Sequence, residues 1–165
     1  MRAALVLALC PGLAVAQEMA FDPAPTEACL VADTSNPAAC IGHAADACML
    51  ENPQGETTMG MGFCLSQEWE WWDARLNAAY GALRQRHEAV DAETTEIGAT
   101  VPSLSEALRD MQRAWIGYRD AACDYERAQW GGGSGGGPET AGCLMRLTGE
   151  QALALEGRLM MLESQ

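Results

Sequence analysis

Apolar residues recur at alternating steps of four and three along the chain, a spacing that only a helical fold can bury on one side. Leu65, Trp69, Trp72, Leu76, Ala79 and Leu83 make the first such seam, on a helix expected to reach about Val90. Leu104, Leu108, Met111, Trp115, Tyr118, Ala122 and Tyr125 make the second. A third helix carries Leu144, Leu147, Gln151, Leu155, Leu159 and Leu162 on one side. Three amphipathic helices of this kind predict an all-α fold, an antiparallel three-helix bundle. Ser103-Leu104-Ser105-Glu106 reads as a capping box opening the second helix, in which Ser and Glu serve each other's backbone N–H groups. The glycine run from Gly131 to Gly137, with Ser134 inside it, separates the second helix from the third.

Cysteine usage constrains the remainder. Met1-Arg2, the apolar run from Ala3 to Leu13 and the small residues Ala14-Val15-Ala16 have the pattern of a cleaved signal peptide over residues 1–16. Cys10 sits too early, behind Leu9, for a lipid-modified cysteine. Removing residues 1–16 from the 165 leaves 149 residues and six cysteines, and the loss of Arg2 takes the charge from −13 to −14. Six cysteines in an exported chain read as three disulfides, and the absence of any Cys-x-x-Cys argues against a zinc or thioredoxin-type site. Up-down-up topology gathers Cys64, Cys123 and Cys143 at one end of the bundle. Fifteen pairings are open to six cysteines. The sequential set Cys29–Cys40, Cys48–Cys64 and Cys123–Cys143 is preferred, and Cys64–Cys123 is its main competitor.

The expected organisation is a signal at 1–16, a flexible leader at 17–28 containing Pro23 and Pro25, a cysteine-rich segment at 29–64, and the three-helix domain at 65–165. Within the cysteine-rich segment, Ser35-Asn36-Pro37 starts a short extra helix from about Pro37 to Leu50. Asn52-Pro53-Gln54-Gly55 ends it.

Charge limits the partners. The chain has ten basic residues, all arginine, against 23 acids. That balance disfavours nucleic acid and anionic membrane surfaces and favours a cationic partner. No second apolar run approaches the ~18 residues of a membrane span, so no membrane association is expected after signal removal.

Side chains that could carry chemistry are few. Trp69 and Trp72 belong to the first seam, whereas Trp71 falls off it. Glu68 and Asp73 read as solvated residues of an exposed face rather than an acid–base pair. His43 and His87 have no nucleophile or acid beside them, so no catalytic or cofactor site is expected. Arg119 is expected to stack on Trp115 and pair with an acid of a neighbouring helix, and Asn77 and Tyr80 to bond across helices. Met59 and Met61, read as part of a loop, are two thioethers that could bind Cu(I). Trp130 and Ser134, at the glycine run, are the other candidate partner contacts.

Leu76-Asn77 with Tyr80, Trp115 with Arg119, Asp120 and Cys123, then the glycine-rich loop and Cys143, together resemble the LprI-type lysozyme inhibitor family of exported bacterial proteins. The resemblance spans about Cys48 to Leu162. It implies a small helical, disulfide-bonded envelope protein, and its founding member is described as inhibiting lysozyme. Here Cys29 and Cys40 extend the framework, and the founding member's lipid anchor is missing. The expected function is a periplasmic or secreted, non-enzymatic inhibitor or binding protein whose target is a cationic protein such as lysozyme. The alternatives are an envelope structural or adaptor module and a Cu(I)-binding protein. Peptide mapping of the unreduced mature protein should recover the three sequential crosslinks; a Cys64–Cys123 peptide would contradict that set.

Overall fold

The structure is a computed structural model that describes residues 19–32 and 35–164. The expected signal segment lies outside the described residues. All regular structure among them is helical: α1 (Ala24–Ala32), a 3₁₀ turn (Pro37–Cys40), α2 (His43–Glu51), α3 (Thr58–Glu96), α4 (Leu104–Ala128) and α5 (Gly136–Glu163).

Helix α3 is the spine. Its 39 residues extend roughly 58 Å at about 1.5 Å per residue. It begins well before Leu65 because Thr57 caps it, accepting from the Gly60 N–H at 3.0 Å. The segment expected as a Met59–Met61 loop is therefore its first turn. The boundary expected at residue 64/65 also vanishes, since α3 runs through it and Cys64 is fully buried.

The first seam forms the core. Trp72, Leu76, Ala79 and Leu83 are buried on α3, against Ala152 and Leu155 of α5 and Leu108 of α4. Helix α5 packs mainly on α3 and secondarily on α4. It runs parallel to α3, as the ion pairs Arg75–Glu156 (2.8 Å) and Arg86–Glu163 (3.3 Å) show. Arg75 also stacks its guanidinium 4.8 Å from the Trp71 ring, and Trp71 meets Trp72 edge-on. Trp71 is thus half-buried, although it lies off the seam.

Two departures from expectation have one physical origin, because α3 lends carboxylates to neighbouring helix N-termini. Glu68 is fully buried, not on a solvated face. Its Oε1 accepts from Thr26 Oγ1 (2.9 Å), the Gly42 N–H (2.9 Å) and Trp72 Nε1 (3.1 Å), and its Oε2 from the Ala45 N–H (2.7 Å). Thr26 Oγ1 in turn accepts from the Ala44 N–H at 2.9 Å. Gly42, at φ 103°, is the N-cap of α2 and has no side chain to satisfy that helix start. Glu68 and Thr26 do so instead.

These bonds also reshape the N-terminal part. The short helix expected from Pro37 to Leu50 is split at Ile41-Gly42 into the 3₁₀ turn and α2. The leader expected over 17–28 is helical from Ala24. Its earlier part is fixed too: Asn52 accepts from the Ala20 N–H and donates to the Ala20 carbonyl, and Phe21 packs on the core. Three disulfides join Cys29–Cys40, Cys48–Cys64 and Cys123–Cys143, the sequential set.

At the other end of α3, Asp91 caps α4. It accepts from Ser103 Oγ (2.7 Å), Ser105 Oγ (2.6 Å), and the N–H groups of Leu104 (2.8 Å) and Ser105 (3.0 Å). Ser103 fills its own half of the expected capping box, accepting from the Glu106 N–H at 3.2 Å. Asp91 stands where the reciprocal Glu106 contact was expected.

Hydrogen bonds from the Ser105 and Ser103 hydroxyls, then from backbone N–H groups, hold the Asp91 carboxyl far below its ordinary range. A lowered folded value means that the contribution is complete above the unfolded value of about 3.9 and is lost as pH falls toward the folded value. The stability difference between wild type and Asp91→Asn, from denaturant titrations, should be constant from about pH 5 to 8 and shrink below about pH 4. A pH-independent difference would contradict this role for Asp91.

Candidate functional site

The disulfide end of the bundle, where α4 passes into α5, presents the most distinctive surface. Cys123 and Cys143 are buried and, with Leu147, Ala122 and Leu144, make a small core of their own. Their Cα atoms are 5.5 Å apart, which ties the two helices at the base of the glycine run. The run itself is folded. Gly133 N–H donates to the Trp130 carbonyl at 2.8 Å and Gly136 N–H to the Gly133 carbonyl at 3.1 Å. Gly131 (φ 53°) and Gly132 (φ 91°) make the turn in a region that other residues rarely adopt. The Trp130 ring lies against Gly135, where a Cβ would overlap it. Trp130 stays 48% exposed, and Ser134 is exposed on the hairpin. Ordering of this loop before binding removes much of the entropy loss that a glycine-rich segment would otherwise incur.

Helix α4 leads into this hairpin with its own aromatic residues. The second seam was expected to be buried throughout, yet only Leu108 is buried, with Trp115 and Ala122 half-buried. Leu104, Met111, Tyr118 and Tyr125 are exposed, the two tyrosines at 62% and 67%. The reason is rotational. Leu108, Gln112 and Cys123 face inward, and Gln112 accepts from Gln151 Nε2 of α5 at 3.0 Å. That orientation turns the outer edge of the seam to solvent. Asp120, paired with Arg119, and Asp124 lie on the other flank of α4 from the two tyrosines, and Asp124 has no ion-pair partner among the described residues. Sequence reasoning missed Tyr118 and Tyr125 because both fit the seam spacing.

Other predicted residues are placed as follows. Leu76 is buried in the core. Arg119 stacks 5.1 Å from the Trp115 ring, as expected, but pairs with Asp120 of its own helix at 2.8 Å rather than with a neighbouring helix. Asn77 donates to Asp73 within α3 at 2.8 Å, and Tyr80 packs on the core with no cross-helix bond among the described residues. Met59 is 78% exposed and Met61 half-buried on the first turn of α3. Residues two apart on a helix do not face each other, so these thioethers cannot chelate one Cu(I) ion. Among the described residues no group of His, Cys, Asp or Glu is arranged to hold a metal.

The family profile described as "Lysozyme inhibitor LprI" matches residues 48–155. The chain belongs to the LprI lysozyme inhibitor family. An uncharacterised protein of Rhizobium meliloti (strain 1021) is 36% identical over 98 residues, 59% of this chain and 70% of that protein. An uncharacterised 17.7 kDa protein from the puhA 5′ region of Rhodobacter capsulatus is 30% identical over 119 residues, 72% of this chain and 73% of that one. Uncharacterised protein YecT of Escherichia coli (strain K12) is 32% identical over 80 residues, 47% of each chain. No solved structure is significantly similar. The LprI match takes in α4, the hairpin and the Cys123–Cys143 bond, but begins after Cys29 and Cys40.

The packing of Trp130 on Gly135 has a direct check. Gly135→Ala should move the Trp130 indole N–H signal in an amide correlation spectrum more than those of the other four tryptophans. An unmoved Trp130 signal would contradict the packed hairpin.

Proposed function

We propose that this LprI-family chain is an exported, non-enzymatic inhibitor that binds a cationic protein through the outer face of α4 and the α4–α5 hairpin. The family's description supplies lysozyme as the target. The observation that carries the reading is the exposed set Tyr118, Tyr125 and Trp130 beside a disulfide-clamped hairpin. Tyrosine and tryptophan are the side chains that most often anchor protein interfaces. Their ring faces attract Lys and Arg, and the excess of acids over arginines adds a long-range attraction for a basic partner. Ser134 stands on the hairpin as the element suited to enter a substrate cleft. Met59 lies at the same end of the bundle on α3 and would extend the contact.

The −14 charge expected after removal of residues 1–16 would speed encounter with a basic enzyme and make it salt-sensitive. No helix among the described residues is long and apolar enough to cross a membrane. A second reading, an envelope adaptor, is favoured by the exposed stripe Leu104, Ala107, Met111, Ala114, Tyr118, Ala121 and Tyr125 on α4. Its steps of three and four are those of a helix-pairing seam.

Purified mature protein should slow cell-wall lysis by chicken-type lysozyme at low salt and lose potency as salt rises. Tyr125→Ala with Trp130→Ala should weaken inhibition at least about tenfold, as loss of anchoring side chains does. No inhibition at tenfold protein excess and low salt would remove lysozyme as the target and leave the adaptor reading.

A further inference from the structure

A groove of about 570 Å³ runs between α3 and α4, away from the hairpin. It is far less acidic than the rest of the molecule. Arg84, Arg109 and Arg113 line it, against Glu88 and Glu106. The chain as a whole has ten arginines against 23 acids. Helix pairing brings these arginines together. Asp91 bonds to Leu104 and Ser105, which fixes the antiparallel register of α3 and α4. Seven residues back along α3 and about seven forward along α4, roughly 10 Å in each case, Arg84 stands level with the Arg109–Arg113 turn.

The guanidinium groups are only partly occupied. Arg84 uses Nε on Glu88 at 3.0 Å, and Arg109 uses Nε on Asp110 at 3.2 Å. Both leave their terminal nitrogens unbonded among the described residues. Arg113 has no ion-pair or hydrogen-bond partner there at all. Elsewhere in the protein, Arg75 and Arg86 spend terminal nitrogens on glutamates of α5. Outward-facing guanidinium forks match carboxylates in bidentate geometry. Tyr80 and Ile116 supply an apolar wall beside them. Among the described residues Glu106 is the one lining carboxylate without a partner, and the anion-accepting part of the groove is the stretch of the three arginines.

We propose that this groove binds a polycarboxylate, two carboxylates of one ligand being shared among Arg84, Arg109 and Arg113. The chemistry is the same whether the carboxylates belong to an acidic peptide or to a free tricarboxylic acid. The proposal does not rest on inhibition, since neither the hairpin nor the aromatic set of α4 lines the groove. It gives the molecule a second, anion-accepting surface.

The test is a titration of the full mature protein with three probes, an N-acetylated, C-amidated triglutamate peptide, citrate and inorganic phosphate, read by the arginine Nε–H signals. The expected result is saturable movement of the Arg84, Arg109 and Arg113 signals with the peptide or citrate, at concentrations at least tenfold below those at which phosphate acts. Whichever carboxylate probe saturates first identifies the source. Arg113→Gln with Arg109→Gln should weaken binding tenfold or more, while Arg158→Gln on α5, outside the groove, should leave it unchanged. Amide spectra establish that each variant is folded. No saturation with either carboxylate probe, equal response to phosphate, or equal weakening by Arg158→Gln would overturn the proposal.

Discussion

A buried glutamate holds the N-terminal third of this molecule to its spine. Glu68 is taken wholly out of water, which costs several kcal/mol unless the charge is well compensated. Four donors from four residues compensate it, and each hydrogen bond to a charged group contributes about 1.5–3 kcal/mol. The donors belong to α1, to the start of α2 and to α3 itself. One side chain therefore fixes three elements, alongside the apolar packing of Leu30, Ile41 and Met49 on the core and the two disulfides. Ala44 and Ala45 bury little apolar area, and a helix as short as α2 is not stable alone. The Cys29–Cys40 and Cys48–Cys64 bonds limit the unfolded chain, while Glu68 selects the folded arrangement.

Asp91 repeats the device at the far end of α3. Between them, the two carboxylates set where α2 and α4 begin and how each is turned. The rotation of α4 then follows from its inward residues Leu108, Gln112 and Cys123. That rotation is what exposes Tyr118 and Tyr125 and directs them along the same helix as the hairpin. Helix capping in one part of the chain thus decides which aromatic side chains meet solvent in another. The functional surface proposed here is a consequence of packing, with the Cys123–Cys143 bond keeping its two helices together.

The seams and cysteines were legible in the sequence because spacing and pairing are local or topological properties. Trp72, Leu76, Ala79 and Leu83 announced the core by period alone, and the residues around Trp115 and Cys123 carried the family resemblance. What stayed hidden depended on partners far along the chain. Glu68 reads as a surface residue in any amphipathic pattern, because burial of an acid requires donors from residues 26, 42 and 45. The helical start at Ala24 was masked by Pro23 and Pro25, yet prolines are well tolerated at a first helical turn. Tyr118 and Tyr125 satisfied the period of a buried seam, and period does not say which edge of a seam turns outward. The run from Gly131 to Gly137 gave no sign that Trp130 would pack against it.

The capping account is tested most directly by amide hydrogen exchange of the mature, oxidised protein, comparing wild type with Glu68→Gln. A glutamine places an N–H₂ group where one carboxylate oxygen accepted a bond. Protection at Gly42, Ala44 and Ala45 should then fall at least about tenfold, the exchange equivalent of about 1.4 kcal/mol, while protection in the Cys123–Cys143 region is kept. Unchanged protection at Gly42 and Ala45 in the variant would contradict the central role given to Glu68.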